Sequence, residues 1–229
     1  MKSIYLSLLF SCLVGLGFAQ NAASIAGAYT SEKGDEKMIW LFVDDYCSQI
    51  TFKDKQYIST FGGPFTLTGN TLQIRTEYQD AQPENVGQQQ TITLKLQANG
   101  FQDGAGKKWK KQTSAAQALD GLWRITGRQQ GDKMATMPKS DRKTIKILVD
   151  GYFQWVAINP AVKGFYGTGG GKYVFKDAKY AEHILFFSRD DNRVGAHLSF
   201  DGSLQNGEWH HRGQSSKNEP IHEIWSREK

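Results

Sequence analysis

Val149-Asp150-Gly151-Tyr152-Phe153-Gln154-Trp155-Val156-Ala157 is the stretch on which the fold turns. Phe153 and Trp155 are two residues apart, so a pleated strand places both rings on one face. The first four residues also echo an earlier stretch, Val43-Asp44-Asp45-Tyr46. Outward from there the echo continues in order. Gly62-Gly63-Pro64-Phe65-Thr66-Leu67 returns as Gly170-Gly171-Lys172-Tyr173-Val174-Phe175, and Val86-Gly87 as Val194-Gly195. Leu96-Gln97-Ala98-Asn99-Gly100 returns as Leu204-Gln205-Asn206-Gly207. The openings match as Gly27-Ala28-Tyr29 and Gly121-Leu122-Trp123, and the ends as Trp109-Lys110-Lys111 and Trp225-Ser226-Arg227. Matches in one order, at a slowly growing separation, are the mark of an internal duplication. The separation grows because Arg128 to Lys143 is longer than Ser31 to Lys37. It grows again because repeat one has no counterpart to the region from His211 to Ile221. The reading is a trimmed repeat over 25–111, a polar, Ala-rich linker over 112–118 and a second repeat over 119–229.

Both repeats read as antiparallel β-structure. Gly69-Asn70, Asn99-Gly100, Asp201-Gly202 and Asn206-Gly207 are residues that tolerate the positive φ of tight hairpins. The pairs Asp44-Asp45 and Asp190-Asp191 read as turns. Thr91 to Leu96 alternates cleanly, and Glu182, Ile184 and Phe186 share a face opposite His183, Leu185 and Phe187. Met38 to Val43 is apolar on both faces, which predicts a strand covered on both sides. No helical stripe appears in the chain after the leader; Ala115 to Leu119 is too short. Each repeat offers about seven or eight short strands, the number that closes a small barrel and hides its edges. The expected fold is all-β, two tandem up-and-down barrels; a pair of two-sheet sandwiches satisfies the same strands and stays open.

Residues 1–20 read as a signal peptide: Lys2, the apolar run Ile4 to Phe18, and the small residues Gly17 and Ala19 before Gln20. Lipoprotein processing at Cys12 fits poorly, since the apolar run continues beyond it. The run is also shorter than the ~20 residues a permanent span needs. The expected location is secreted or periplasmic, with no transmembrane anchor. Without Cys12 the chain keeps only Cys47, so no intramolecular disulfide forms, and Cys47 reads as a small buried hydrophobe. The net charge of +5 is scattered, with Lys107-Lys108 and Lys110-Lys111 the one dense run. A nucleic-acid partner would need a clustered basic face.

The Gly121-x-Trp123 opening, paired with the closing Trp225-Ser226-Arg227, resembles the lipocalin-like superfamily. That resemblance implies that Trp123 closes the barrel floor and Arg227 stacks on it. Repeat one departs, with Tyr29 for the tryptophan and Lys111 for the arginine, which should weaken its seal. Most of repeat two resembles, more closely, a family of bacterial secreted lipocalin-like domains of unknown function. The resemblance rests on Phe153-x-Trp155-Val156, Gly169 to Gly171 before Tyr173, Glu182-His183-Ile184, Trp209-His210-His211-x-Gly213 and Glu223-Ile224-Trp225. The family's histidine before the Phe-x-Trp segment is Tyr152 here, so any role of that histidine is lost. The resemblance implies the fold and brings no activity.

The candidate ligand site lies in repeat two: Phe153, Trp155, Tyr173, Phe175 and Trp209 as apolar walls, with Glu182, His197 and His211 as polar groups. Apolar walls with a few polar anchors are the usual make-up of a pocket; rings that simply fill a small barrel are the competing reading. Repeat one has Ser48 and Ile50 near the Trp155 level, which makes a site there less expected. All five histidines lie in repeat two. A zinc site from Glu182, His197 and His211 needs all three to face inward, while His210 and His211 are adjacent and point to opposite faces. No metal or cofactor is expected. Catalysis finds no Gly-x-Ser-x-Gly elbow, no phosphate-cradling loop and no Cys–His pair within one repeat; Gly169 to Gly171 reads as a bulge. A Glu182–His211 acid–base pair would be the one route to an enzyme. The expected function is non-catalytic binding of a small hydrophobic or amphipathic ligand. The alternative is a protein- or glycan-interaction module, its surface on the Arg128 to Lys143 loop with Met134 and Met137, marked by exposed aromatic rings.

Overall fold

A computed structural model describes residues 25–215 and 219–228; the expected leader over 1–20 lies outside them. The first repeat runs through β1 (Gly27–Lys33), β2 (Glu36–Val43), β3 (Tyr46–Lys53), β4 (Gln56–Thr68), β5 (Thr71–Arg75), β6 (Tyr78–Gln79), β7 (Gln89–Gln97), β8 (Gly100–Asp103) and β9 (Lys108–Lys111). The second runs through β10 (Gly121–Gln130), β11 (Lys133–Thr136), β12 (Lys143–Val149), β13 (Tyr152–Asn159), β14 (Gly164–Lys176), β15 (Lys179–Phe187), β16 (His197–Gln205), β17 (Glu208–Gln214) and β18 (Pro220–Arg227). Each repeat closes into an antiparallel barrel of eight strands, β4 sealing on β3 in the first and β18 on β10 in the second. Closure excludes the sandwich. Short β6 and β11 lie beside the rings as extra pairings. Among the described residues, no helix is long and apolar enough to cross a membrane.

The duplication holds at the level of register. Tyr29 faces Trp40 across β1–β2 as Trp123 faces Lys146 across β10–β12. Phe65 faces Ile74 as Tyr173 faces Glu182. Two local readings are corrected. Asp201-Gly202 is not a turn but lies within β16; the turn before it is Asp177-Ala178, both at positive φ. The alternation along Glu182 to Phe187 breaks at a bulge, where Gly170 pairs with Phe186 and Gly171 with Ile184. The extra residue, Leu185, resets the alternation: Phe187 turns inward beside Ile184, and Phe186 turns outward. Gly169 to Gly171 makes this approach possible, since a Cβ on Gly171 would lie 2.0 Å from the His183 carbonyl oxygen.

The strand expected to be covered on both sides is β2, and the cover is the other barrel. Met38, Trp40 and Phe42 fill the first barrel, while Ile39 and Leu41 face out and join a core with Ile145, Ile147, Val156 and Ile158 of the second. Tyr46, Ile50 and Phe52 of β3 belong to the same seam, with Phe52 against Phe186 at 5.6 Å between ring centroids. Ser48 and Ile50 therefore face the partner barrel, and the position matching Trp155 is Gln49. Gln154 Nε2 spans the seam to Thr60 Oγ1 (3.1 Å). The two turns make reciprocal contacts. Asp150 accepts from the Ala28 amide (2.9 Å), and its counterpart Asp44 accepts from the Leu122 amide (2.8 Å). Repeat one gives to repeat two what it receives.

Candidate functional site

One end of the second barrel is closed as the opening and closing motifs imply. The Arg227 guanidinium lies 4.0 Å from the Trp123 ring and donates to the Asp120 carbonyl (2.6 Å). In the first barrel the corresponding Lys111 ammonium lies 5.8 Å from Tyr29, a looser cap. Above the second floor, Phe153, Tyr173, Tyr180 and Trp209 are fully buried and pack together, with Phe175 against them. Four of the expected wall residues, Phe153, Tyr173, Phe175 and Trp209, thus belong to a filled lower half.

The upper half is hollow. A pocket of about 330 Å³ opens toward the Arg128 end of β10, five residues from Trp123, or roughly 16 Å along the strand. It continues into a vestibule of about 670 Å³ that shares Arg128, Trp155, Phe187 and Arg193 with it. The pleat explains the lining. Alternate residues point in, so Lys146 comes from β12, Trp155 and Ala157 from β13, Glu182 and Ile184 from β15, and His211 from β17. Trp155, Glu182 and His211 are where the sequence placed them. His197 is not: it lies exposed on the outer face, its ring stacked on that of His183 at 4.2 Å. His210 points outward, opposite His211, and meets His222 (3.4 Å).

Sequence reasoning missed the partners of these polar groups. Buried Lys146 donates to Glu182 Oε1 (2.9 Å), and its ammonium sits within 4.8 to 5.8 Å of the Tyr180, Trp209, Trp225 and Phe153 rings. Aromatic faces and a carboxylate together compensate for the lost hydration of the ammonium. Glu223 collects Arg128 (2.5 Å), the Trp225 indole N–H (3.1 Å) and His211 Nδ1 (3.4 Å). Burial alone would raise the Glu223 carboxyl; the His211 bond and the charges of His211, Lys146 and Arg128 override it and bring it to about 2. Burial, then the Lys146 charge, lowers His211, which is therefore neutral at pH 7. With Glu223 ionised, Nδ1 carries the proton and Nε2 presents a lone pair. That Nε2 is buried without a partner among the described residues, and so is Arg193 Nη1 at the mouth.

The two barrels differ at these positions. Trp40 stands where Lys146 stands, Ile74 for Glu182, Asp103 for His211 and Lys107 for Glu223. Trp40 fills the first interior, against Phe42, Phe61, Phe101 and Trp109.

With His197 outside, the metal site weighed for Glu182, His197 and His211 does not assemble. Among the described residues no group of three metal-ligating side chains converges. Glu182 is engaged by Lys146 and His211 by Glu223. On the Arg128 to Lys143 loop, Met134 and Met137 are exposed, but no described phenylalanine, tyrosine or tryptophan is. No family model matches the chain, and no curated protein matches it.

Proposed function

We propose that the second barrel is a binding module for a small amphipathic molecule, working in a secreted or periplasmic setting. One observation carries the reading: an apolar-walled pocket of about 330 Å³ containing fixed, buried polar groups, above a packed floor. That is the size and make-up at which small-molecule sites begin. The walls, Ile184, Phe187, Leu198 and Trp155, suit a hydrocarbon or aromatic body. Lys146, Glu182 and His211 fix its orientation. The first barrel, filled by Trp40, acts as a packing partner for the β12–β13 face.

The test is titration with the fluorophore anilinonaphthalene sulfonate. The wild-type protein enhances its emission with a saturable, one-site isotherm. Ala157→Trp places an indole in the pocket and should weaken binding at least about tenfold, the loss of a good hydrophobic contact. Equal binding by the folded Ala157→Trp protein would remove the pocket from the account.

A further inference from the structure

Two polar atoms on the wall of one pocket have no partner among the described residues, and they are opposite in kind. His211 Nε2, on a side chain 3% exposed, is an acceptor at the deep end. Arg193 Nη1 is a cationic donor at the mouth, bordering both pocket and vestibule. Folded proteins rarely leave such atoms unsatisfied, and a guanidinium cannot relieve itself by losing a proton. Both atoms are also held in place. His211 is fixed through Nδ1 by Glu223. Arg193 ends a short turn, Asp191–Arg193, its Nε on Asp190 (3.2 Å) and its guanidinium 5.7 Å from the Phe187 ring.

The other charges of the pocket are already matched. Lys146 holds Glu182, and Arg128 holds Glu223. Neither pair calls for a ligand ion, so the two partnerless atoms dictate what is missing. Nε2 asks for an O–H or N–H donor, and Nη1 for an acceptor, best an anionic one. The span between them is apolar: Ile184, Phe187 and Leu198. Resting on the binding-module reading, we propose that the ligand is an amphipathic hydroxy-carboxylic acid. Its hydroxyl donates to His211 Nε2 inside the barrel, and its carboxylate meets Arg193 at the mouth. The neutral state of His211 at pH 7 leaves the lone pair free to accept.

Three probes separate the two ends: ω-hydroxydodecanoic acid, dodecanoic acid without the hydroxyl, and dodecanol without the carboxylate. Each competes against anilinonaphthalene sulfonate on the full chain. The hydroxy acid is expected to bind about tenfold tighter than either, one good hydrogen bond at each end. Arg193→Met, on a surface turn, should abolish its advantage over dodecanol and keep its advantage over dodecanoic acid. His211→Phe should do the reverse. Equal affinity of the three probes for the wild-type protein overturns the two-ended ligand and leaves the pocket standing. So does an unchanged preference in Arg193→Met. If the fluorophore binds and none of the three displaces it, the ligand class is wrong. If the fluorophore does not bind either, the binding module falls with it.

Discussion

At the scale of the residue, the informative side chains are those whose protons are held unusually. His211 is lowered by burial and by Lys146, so the unfolded chain takes up its proton first as the pH falls. Its contribution to stability is full above about pH 6.5 and is lost below it. Glu223, at about 2 in the fold against 4.5 in the free side chain, extends the loss between those values, on the order of 3 kcal/mol. Denaturation followed from pH 7 to pH 4 should show stability falling steadily, and His211→Phe should flatten the upper part of that curve. His183 and His222 are lowered as well, but both sit near solvent and add little. A His211→Phe protein as acid-sensitive as the wild type would show that the proton is taken up elsewhere. Of these groups, His211, Glu182 and Trp155 were legible, because each alternates with outward neighbours on a clean strand. Lys146 was not, because a lone lysine in a strand defaults to solvent, and the carboxylate and rings that hold it inside arrive from β13, β15, β17 and β18. His197 shows the opposite failure. Leu198 and Phe200 claim the inward positions of its strand, and alternation alone puts it outside.

At the scale of the element, the bulge in β15 decides what the pocket is made of. Without Leu185 as the extra residue, Phe186 rather than Phe187 would succeed Ile184 inward, and the seam would lose its contact with Phe52. Sequence alternation ran straight through this point, since a bulge leaves no mark on a run of apolar residues. Its only trace was the facing glycine run. Gly170 is the tightest test: an added Cβ would stand 2.3 Å from the Phe153 carbonyl oxygen and 2.6 Å from the Phe186 ring. Gly170→Ala should cost about 1–3 kcal/mol, the range for overpacking a full interior, with the midpoint of urea unfolding as its measure. A variant as stable as the wild type would mean that β14 and β15 can part without loss.

At the scale of the whole molecule, the barrels are one body joined through a seam of apolar side chains. The repeat boundaries and the paired surfaces of β2 were readable in the sequence; the identity of what covers β2 was not, since apolar patterning reports burial without naming the partner. Halves divided within Gln112 to Ala118 should therefore co-purify as a one-to-one complex when expressed together. Leu41→Asp, which places a carboxylate in the seam, should break that complex. Two independently soluble, monomeric halves would show that the seam is incidental. The mirrored bonds from Asp44 and Asp150 carry a consequence of history. A lone ancestral barrel bearing both halves of that handshake needed only its own twin to complete it. End-to-end fusion made the meeting intramolecular and independent of concentration. It also released one twin from keeping a hollow interior, and a tryptophan at position 40 is what that release allowed.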